Sequence, residues 1–507
     1  PAEAQQRFDA LQARLAPLWA TIAELNAAEQ TIVVVPSISL EFELRGSELQ
    51  AYEERFLFLL LLLRQPRARL IYLTSQPIRP TVVDYYLGLL PGVIPSHARE
   101  RLFLVSPQDA DSVPLTKKIL MRPRLIERIR SLIVDPHRAH LVPFNTSPLE
   151  RDLALRLGIP MYGADPKYDP LGTKTGCRRL FGEAGVHHPL GFEDLRDVDE
   201  VVEAIGELLG LRPHAASVIV KQNAGVSGAG NATVDLRGLG ASPSSAAILE
   251  RVQTCDLEDP SAGFDGFFEK FAREGGIVEE RIVADELRSP SVQLRVVPGG
   301  EVELLSTHDQ LLGGPKGLSF MGCRFPADDA YASTIAAEAE KVGALVAREG
   351  VLGRFAIDFL VSRQGDEWVS RAIEINLRKG GTTHPFLTLQ FLTDGTYDPA
   401  TNRYRTAAGV RKCFVATDHA ASPSFRAFTP EDVFDVAVRH GLHFDQTHEK
   451  GVVFHMMAAL GECGRMGFTA VGNDPEDADV LYRKTLQILE AEAAAALAPR
   501  PLPGPPG

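Results

Sequence analysis

The stretch Arg371-Ala-Ile-Glu-Ile-Asn-Leu-Arg-Lys-Gly-Gly381, taken with Arg354-Phe-Ala-Ile-Asp-Phe-Leu-Val361 before it, decides how this 507-residue chain is read. As strands, both runs alternate between faces, so Glu374, Asn376 and Arg378 share one face while Ile375 and Leu377 take the other. The earlier run is apolar on both faces except for Asp358, and a carboxylate in a buried strand is costly unless something positive meets it. A hard cation would do so. Asp358, Glu374 and Asn376 offer only oxygen ligands, the set that Mg²⁺ takes while leaving positions for water and nucleotide phosphates. Arg378 is placed to hold a phosphate or carboxylate bidentately. A Glu-x-Asn in isolation is more often a solvated strand face, so the surrounding chain has to move that reading.

Before these strands lie three further polar signals. Gly172-Thr-Lys-Thr-Gly-Cys-Arg-Arg-Leu-Phe181 opens an amphipathic helix with Lys174 in its first turn, where a cation opposes the helix dipole unless an anion sits near. Ala216-Ser-Val-Ile-Val-Lys221 reads as a strand, followed by a glycine-rich turn containing Gly225, Ser227, Gly228 and Gly230 and by a second strand, Ala232 to Leu236. Such a hairpin can close bare amides over phosphates, with Lys221 at its root, or be an ordinary long loop. Gly275-Gly-Ile-Val-Glu-Glu-Arg-Ile-Val283 resembles a strand turning into a hinge, with Glu279, Ile282 and, further on, Glu286 as candidates for adenine and ribose contacts. The strands Ser291 to Val297 and Glu301 to Leu305 follow, with Thr307-His-Asp-Gln310 expected on the loop after them, and then a helix from about Asp328 to Glu349.

Towards the N-terminus the pattern is simpler. Residues 2 to 28 are helical in periodicity, and strands at Thr31 to Val35, Ala68 to Leu73, Arg101 to Val105 and His140 to Phe144 alternate with helices. This reads as α/β with a parallel sheet, and neither G-x-G-x-x-G nor a P-loop is present. The apolar run Phe56 to Leu63 is bracketed by Arg55 and Arg64 and falls far short of the ~20 residues that span a bilayer. It is expected to be a buried helix. Beyond the central stretch, Val410 to Ala416, Pro430 to His440, Gly451 to Met457, Gly464 to Ala470 and a final helix from about Pro475 to Ala496 precede a Pro/Gly-rich tail expected to be disordered.

With 45% apolar residues the chain has ample core material, and its length suggests about three domains. A net charge of −13 disfavours general nucleic-acid or anionic-membrane binding and points to small-molecule partners. The five cysteines are widely separated, with no C-x-x-C, so their spacing indicates neither a zinc site nor a disulfide framework. No basic segment followed by an apolar core opens the chain. A cytoplasmic location is expected, which leaves the sequon Asn145-Thr-Ser147 idle.

In their order, Lys174, Lys221 with its glycine hairpin, Ile277-Val-Glu-Glu-Arg-Ile282, Asp358, and Glu374-Ile-Asn376 with Arg378 resemble the ATP-grasp superfamily over roughly residues 166 to 395. More narrowly, Ser289-Pro-Ser-Val-Gln293, Ser306-Thr-His-Asp-Gln310, Leu377-Arg-Lys-Gly-Gly-Thr-Thr-His384 and Gly451-Val-Val-Phe-His-Met-Met457 resemble the pheganomycin-type peptide ligases. The resemblance implies an α/β (α+β) ATP-grasp fold behind a Rossmann-like pre-ATP-grasp domain. Its expected divisions are 1–165, 166–395 (a lid part at about 175–285 and a metal part at about 286–395), 396–496, and a tail at 497–507. It further implies that Lys174 and Lys221 contact phosphates, Gly225 to Gly230 cover them, Glu279 and Ile282 hold adenine, and Glu286 holds ribose. Asp358, Glu374 and Asn376 would bind Mg²⁺, while Arg378 would face an acyl phosphate. The implied reaction is ATP-dependent amide formation between a small carboxylate and an amine or peptide, with a homodimer left open. A small-molecule kinase and a non-catalytic ATP-binding regulator are the rival readings. A Ser/Pro/Gly-containing insert, about Gly238 to Gly263, departs from the family pattern and is expected to be a loop.

Overall fold

The computed structural model describes residues 2–23, 29–39, 44–225, 230–240, 242–313, 317 and 319–498. Its first sheet has four parallel strands in the spatial order Leu102–Val105, Ala68–Leu73, Gln30–Val35, Ala139–Pro143. Three of these parallel strands are covered on both faces and are rich in apolar residues, while the edge strand Leu102–Val105 is only partly covered. Along Gln30–Val35 the period of two is visible in the packing: Val33 and Val35 enter one core, with Phe8, Leu115 and Leu153, while Ile32 and Val34 enter another. That second core contains Leu57 to Leu63, together with Phe386 and Leu389 of the helix Thr383–Thr393 and Phe414, Val453 and Phe468 of C-terminal strands.

The run Leu57–Arg64 is a 3-10 helix rather than the expected α-helix, following the α-helix Gly46–Glu54. All its leucines but Leu62 are buried, as the apolar character of the run suggested.

A second sheet is antiparallel and ordered Gly191–Leu195, Gly276–Glu280, Ser217–Gln222, Asn231–Asp235, Asp256–Leu257. Part of the insert is helical. Ser244 caps the helix Ser245–Gln253, whose Ile248 and Val252 pack in one core with Ile205 and Leu208 of the helix Val198–Leu211.

The largest sheet is an eleven-stranded assembly. At its centre Gly353–Gln364 lies antiparallel between Glu367–Asn376 and Pro290–Val296, and the order then runs through Val302–Gly313 and Ser319–Phe325 to Arg411–Ala421. Arg465–Gly472 and Gly451–His455 extend it, so the chain beyond residue 395 adds strands to this sheet instead of building a separate one. Thr307 to Gln310 lie inside the strand Val302–Gly313, not on a loop. Most of their polar atoms find partners within the protein: Ser306 Oγ meets His308 Nε2 at 2.8 Å, Thr307 Oγ1 donates to Asn402 Oδ1 at 3.0 Å, and Tyr331 Oη donates to Asp309 Oδ1 at 2.6 Å, while the buried His308 Nδ1 has none. Among the described residues no helix is long and apolar enough to cross a membrane.

Candidate active site

Asp358 and Glu374 are direct cross-strand partners, and the register slips by one residue immediately after them, between Asp358 and Phe359. A bulge at this point re-aims the side chains that precede it and ends the regular alternation. Ile375, on the opposite face, enters the core with Ile357, Phe359 and Ala372. Asn376 Nδ2 donates to Asp358 Oδ2 at 2.9 Å, and Gln310 Nε2 donates to Asp358 Oδ1 at 3.1 Å. The second contact exists because residue 310 is still in a strand.

Cys177 fixes the helix Lys174–Glu183 against this pair, since Ile375 N donates to its buried Sγ at 3.2 Å. Thr173 caps that helix by accepting from Gly176 N at 3.0 Å, which puts Lys174 in the first turn, and Lys174 Nζ stands 2.5 Å from Glu374 Oε1. The misplaced first-turn cation therefore has an anion, and it is a side chain of the strand Glu367–Asn376. Burial raises the Asp358 carboxyl to about 6, and the neighbouring Glu374 charge adds to the effect. Burial pushes Glu374 in the same direction, but the Lys174 ammonium outweighs it and leaves Glu374 below the usual range. Two carboxylates with opposed shifts, joined by an amide oxygen donor, form an anionic oxygen cluster of the kind Mg²⁺ takes.

The second sheet supplies the facing wall. Lys221 and Glu279, on neighbouring strands, form a buried ion pair, and Glu279 Oε2 also lies 3.4 Å from Arg178 NH1. Arg178 is itself buried, and its Nε lies 2.8 Å from Glu193 Oε1 while its NH1 donates to the Pro189 carbonyl at 2.8 Å. Asn223 Oδ1 accepts from Thr175 N at 3.0 Å, so the hairpin and the Lys174 helix share a hydrogen bond beside the cavity.

These walls enclose a cavity of about 580 Å³, lined on one side by Lys221, Gly225, Glu279 and Ile282 and on the other by Lys174, Asp358, Glu374, Asn376 and Arg378. Arg378 stacks its guanidinium 6.0 Å from the Phe144 ring centroid, at the end of the first sheet. Burial lowers its pKa, against the raising effect of the Glu374 and Asp358 charges. Gly230 is described but does not line the cavity, and Ser227 and Gly228 lie outside the described residues. Glu286 is not part of the lining either: it pairs with Arg288 at 2.6 Å and with Arg363 at 3.4 Å. Sequence reasoning missed Arg178, Asn223, Gln310 and Arg55, the last a buried arginine on the cavity wall. Only a three-dimensional pairing distinguishes them from the chain's other Arg, Asn and Gln residues.

The family described as IQCH-like, ATP-grasp matches residues 260–399, and the PGM1 C-terminal domain matches residues 432–485. An L-propargylglycine--L-glutamate ligase of Streptantibioticus cattleyicolor is 30% identical over 449 residues, covering 86% of this chain and 89% of that protein. The chain belongs to the ATP-grasp family. The IQ motif-containing protein H of Danio rerio is 24% identical over 97% of this chain, which spans only 51% of that longer protein. Among solved structures, a biotin carboxylase–β-γ-ATP complex from Campylobacter jejuni shares the fold at TM-score 0.56 and 13% identity, covering 93% of this chain and 96% of the other. As an ATP-grasp family member, the chain carries its family's α/β fold with the parallel sheet preceding it.

Proposed function

We propose that this protein is an ATP-dependent carboxylate–amine ligase that forms an amide through an acyl phosphate and releases ADP and phosphate. The observation that carries this reading is the composition of the cavity: Lys174, Lys221, Arg378 and the Asp358–Glu374–Asn376 oxygen cluster meet there. Phosphoryl transfer asks the protein mainly for positioning and charge neutralisation, which this set supplies.

In the proposed reaction a substrate carboxylate oxygen attacks the γ-phosphorus, and the bond from that phosphorus to the β-phosphate oxygen breaks. An amine nitrogen then attacks the acyl carbon, phosphate leaves, and the amine proton passes to solvent or to the departing phosphate. Lys174 and Lys221 would hold the phosphates, and Arg378 would offset charge on the group in transit. Mg²⁺, held by Asp358, Glu374 and Asn376, would neutralise phosphate oxygens. Glu279 and Ile282 would meet the adenine, at the end of the strand Gly276–Glu280. The resemblance to a ligase that joins two amino acids supports amino-acid-like substrates and a role in specialised peptide metabolism.

The test is product analysis with panels of amino acids. ADP with phosphate is expected, and hydroxylamine in place of the amine should yield a hydroxamate. AMP with pyrophosphate would overturn the reading, and ADP with a phosphorylated hydroxyl product would make the protein a kinase.

A further inference from the structure

Outside the oxygen cluster, the described residues contain one other convergence of potential metal ligands. His384 begins the helix Thr383–Thr393, Asp418 lies in the strand Arg411–Ala421, and His455 ends the strand Gly451–His455. All three are at least 96% buried. Their ligand atoms form a triangle: His455 Nε2 to Asp418 Oδ1 is 2.8 Å, His384 Nε2 to Asp418 Oδ1 is 3.1 Å, and the two Nε2 atoms are 3.1 Å apart.

Protons alone satisfy this triangle poorly. Each Nε2 has one in-plane position, which either carries a hydrogen or presents a lone pair. If both nitrogens donate to Asp418, two N–H dipoles lie side by side across 3.1 Å. If only one carries hydrogen, the other sets a lone pair against the carboxylate oxygen. A cation on the axis of the triangle satisfies all three atoms together. Ligands of a tetrahedral zinc, each at about 2.0–2.1 Å from the metal, stand about 3.3 Å from one another, so the observed edges need open by only a few tenths of an ångström.

The surroundings suit ligation. Arg55 NH1 holds the other oxygen of Asp418 at 2.9 Å, an outer contact that fixes the carboxylate and leaves Oδ1 facing the histidines. Across the strand pair from His455 lies Gly467, where a Cβ would fall 2.1 Å from His455 Nε2, so only glycine lets the ring lie in this position.

We propose that His384, Asp418 and His455 are a His₂–Asp site for a nitrogen-preferring divalent transition metal such as zinc. Two imidazoles select against magnesium, so the site is chemically distinct from the oxygen cluster. Asp418 and Arg55 both line the active cavity, and the ion would therefore set the shape and charge of that part of its wall.

The test needs no substrate and is independent of the ligase reading. Purified full-length protein is stripped with chelator, dialysed, and titrated with Co²⁺ in excess Mg²⁺. Four- or five-coordinate visible absorption should saturate at a single equivalent, be displaced by zinc, and lack thiolate charge transfer, which excludes the five cysteines. Paramagnetically shifted exchangeable proton resonances from two imidazoles should appear in the same sample. Folded His384→Gln and His455→Gln proteins should lose the visible bands. Because those buried changes can prevent folding, the parent protein decides by itself. No saturable absorption, thiolate bands, or bands that persist in a folded histidine variant would each overturn the site.

Discussion

Lys174 and Glu374 form an ion pair at 2.5 Å, joining the first turn of a helix to the strand Glu367–Asn376 in the cavity wall. In the ATP-grasp reading they serve different ligands, one a phosphate and the other a metal ion. Lys174 therefore competes with a cation for Glu374 until a nucleotide draws the ammonium away. Lys174→Met should lower turnover yet tighten Mn²⁺ or Mg²⁺ binding to the nucleotide-free protein, on the order of tenfold, a change of ~1.4 kcal/mol. The same variant should be less stable without metal, because a buried carboxylate loses its partner, and should recover on adding metal. Calorimetric titration and melting curves with and without Mg²⁺ check both. Unchanged metal affinity would show that the pair does not gate the cluster.

Glu374→Gln keeps the shape and removes the charge. Turnover should fall by at least the order of a hundredfold at saturating Mg²⁺, since the cluster would lose its fully ionised carboxylate. Circular dichroism should be unaltered. Near-normal ADP release from this variant would defeat the metal assignment. Lys221→Ala and Arg378→Ala should each lower kcat similarly if they act on the group in transit.

The strands around Asp358 and Glu374 were legible because alternation and a lone carboxylate in an apolar run leave few other arrangements. The α/β alternation of the first sheet was legible for the same reason. What periodicity could not give is which polar residues are paired. Thr307 to Gln310 read as a loop because four polar residues stood together, but Thr307, Asp309 and Gln310 have partners on distant segments, and the strand runs through them. The helix Ser245–Gln253 was hidden by flanking serines and proline, although Ser244 is a normal N-cap. The join between Ser319–Phe325 and Arg411–Ala421, which fuses the C-terminal strands to the large sheet, carries no local signal at all.

Arg178 was among the residues that only the structure reveals. It lies between Glu279 and Glu193, and Glu279 also holds Lys221, so removing the guanidinium leaves two carboxylates short of a partner beneath the hinge strand. Arg178→Met should destabilise the fold by about 3–5 kcal/mol, the usual cost of breaking a buried pair from one side. It should also weaken ATP binding, because Lys221 would be drawn more firmly to Glu279. Arg178→Lys should restore only part of both, as one ammonium cannot reach Glu193, Glu279 and the Pro189 carbonyl together. Urea unfolding and nucleotide titration measure these effects, and wild-type values for both in a folded Arg178→Met protein would refute the role.

Lys379, the residue after Arg378, gives a prediction whose sign is fixed by its burial. Its ammonium donates to the Pro143 carbonyl at 2.6 Å and so ties the loop bearing Arg378 to the end of the first sheet. Burial, aided by the Arg354 charge, pushes this ammonium down to about 7 from the ordinary 10.5. Between those two values the unfolded chain keeps the proton while the folded protein has released it. The unfolded state thus binds more protons there, and stability rises with pH across the window. The contribution is fully present above the unfolded value and is lost as pH falls through about 7. Lys379→Met abolishes this dependence. Relative to that variant, the parent protein should gain on the order of a few kcal/mol between about pH 7 and pH 10. Urea midpoints of the two proteins, taken at intervals over that range, give the difference directly. A constant difference would mean that the ammonium keeps its solvent, and that the loop carrying Arg378 is held to the sheet by other contacts.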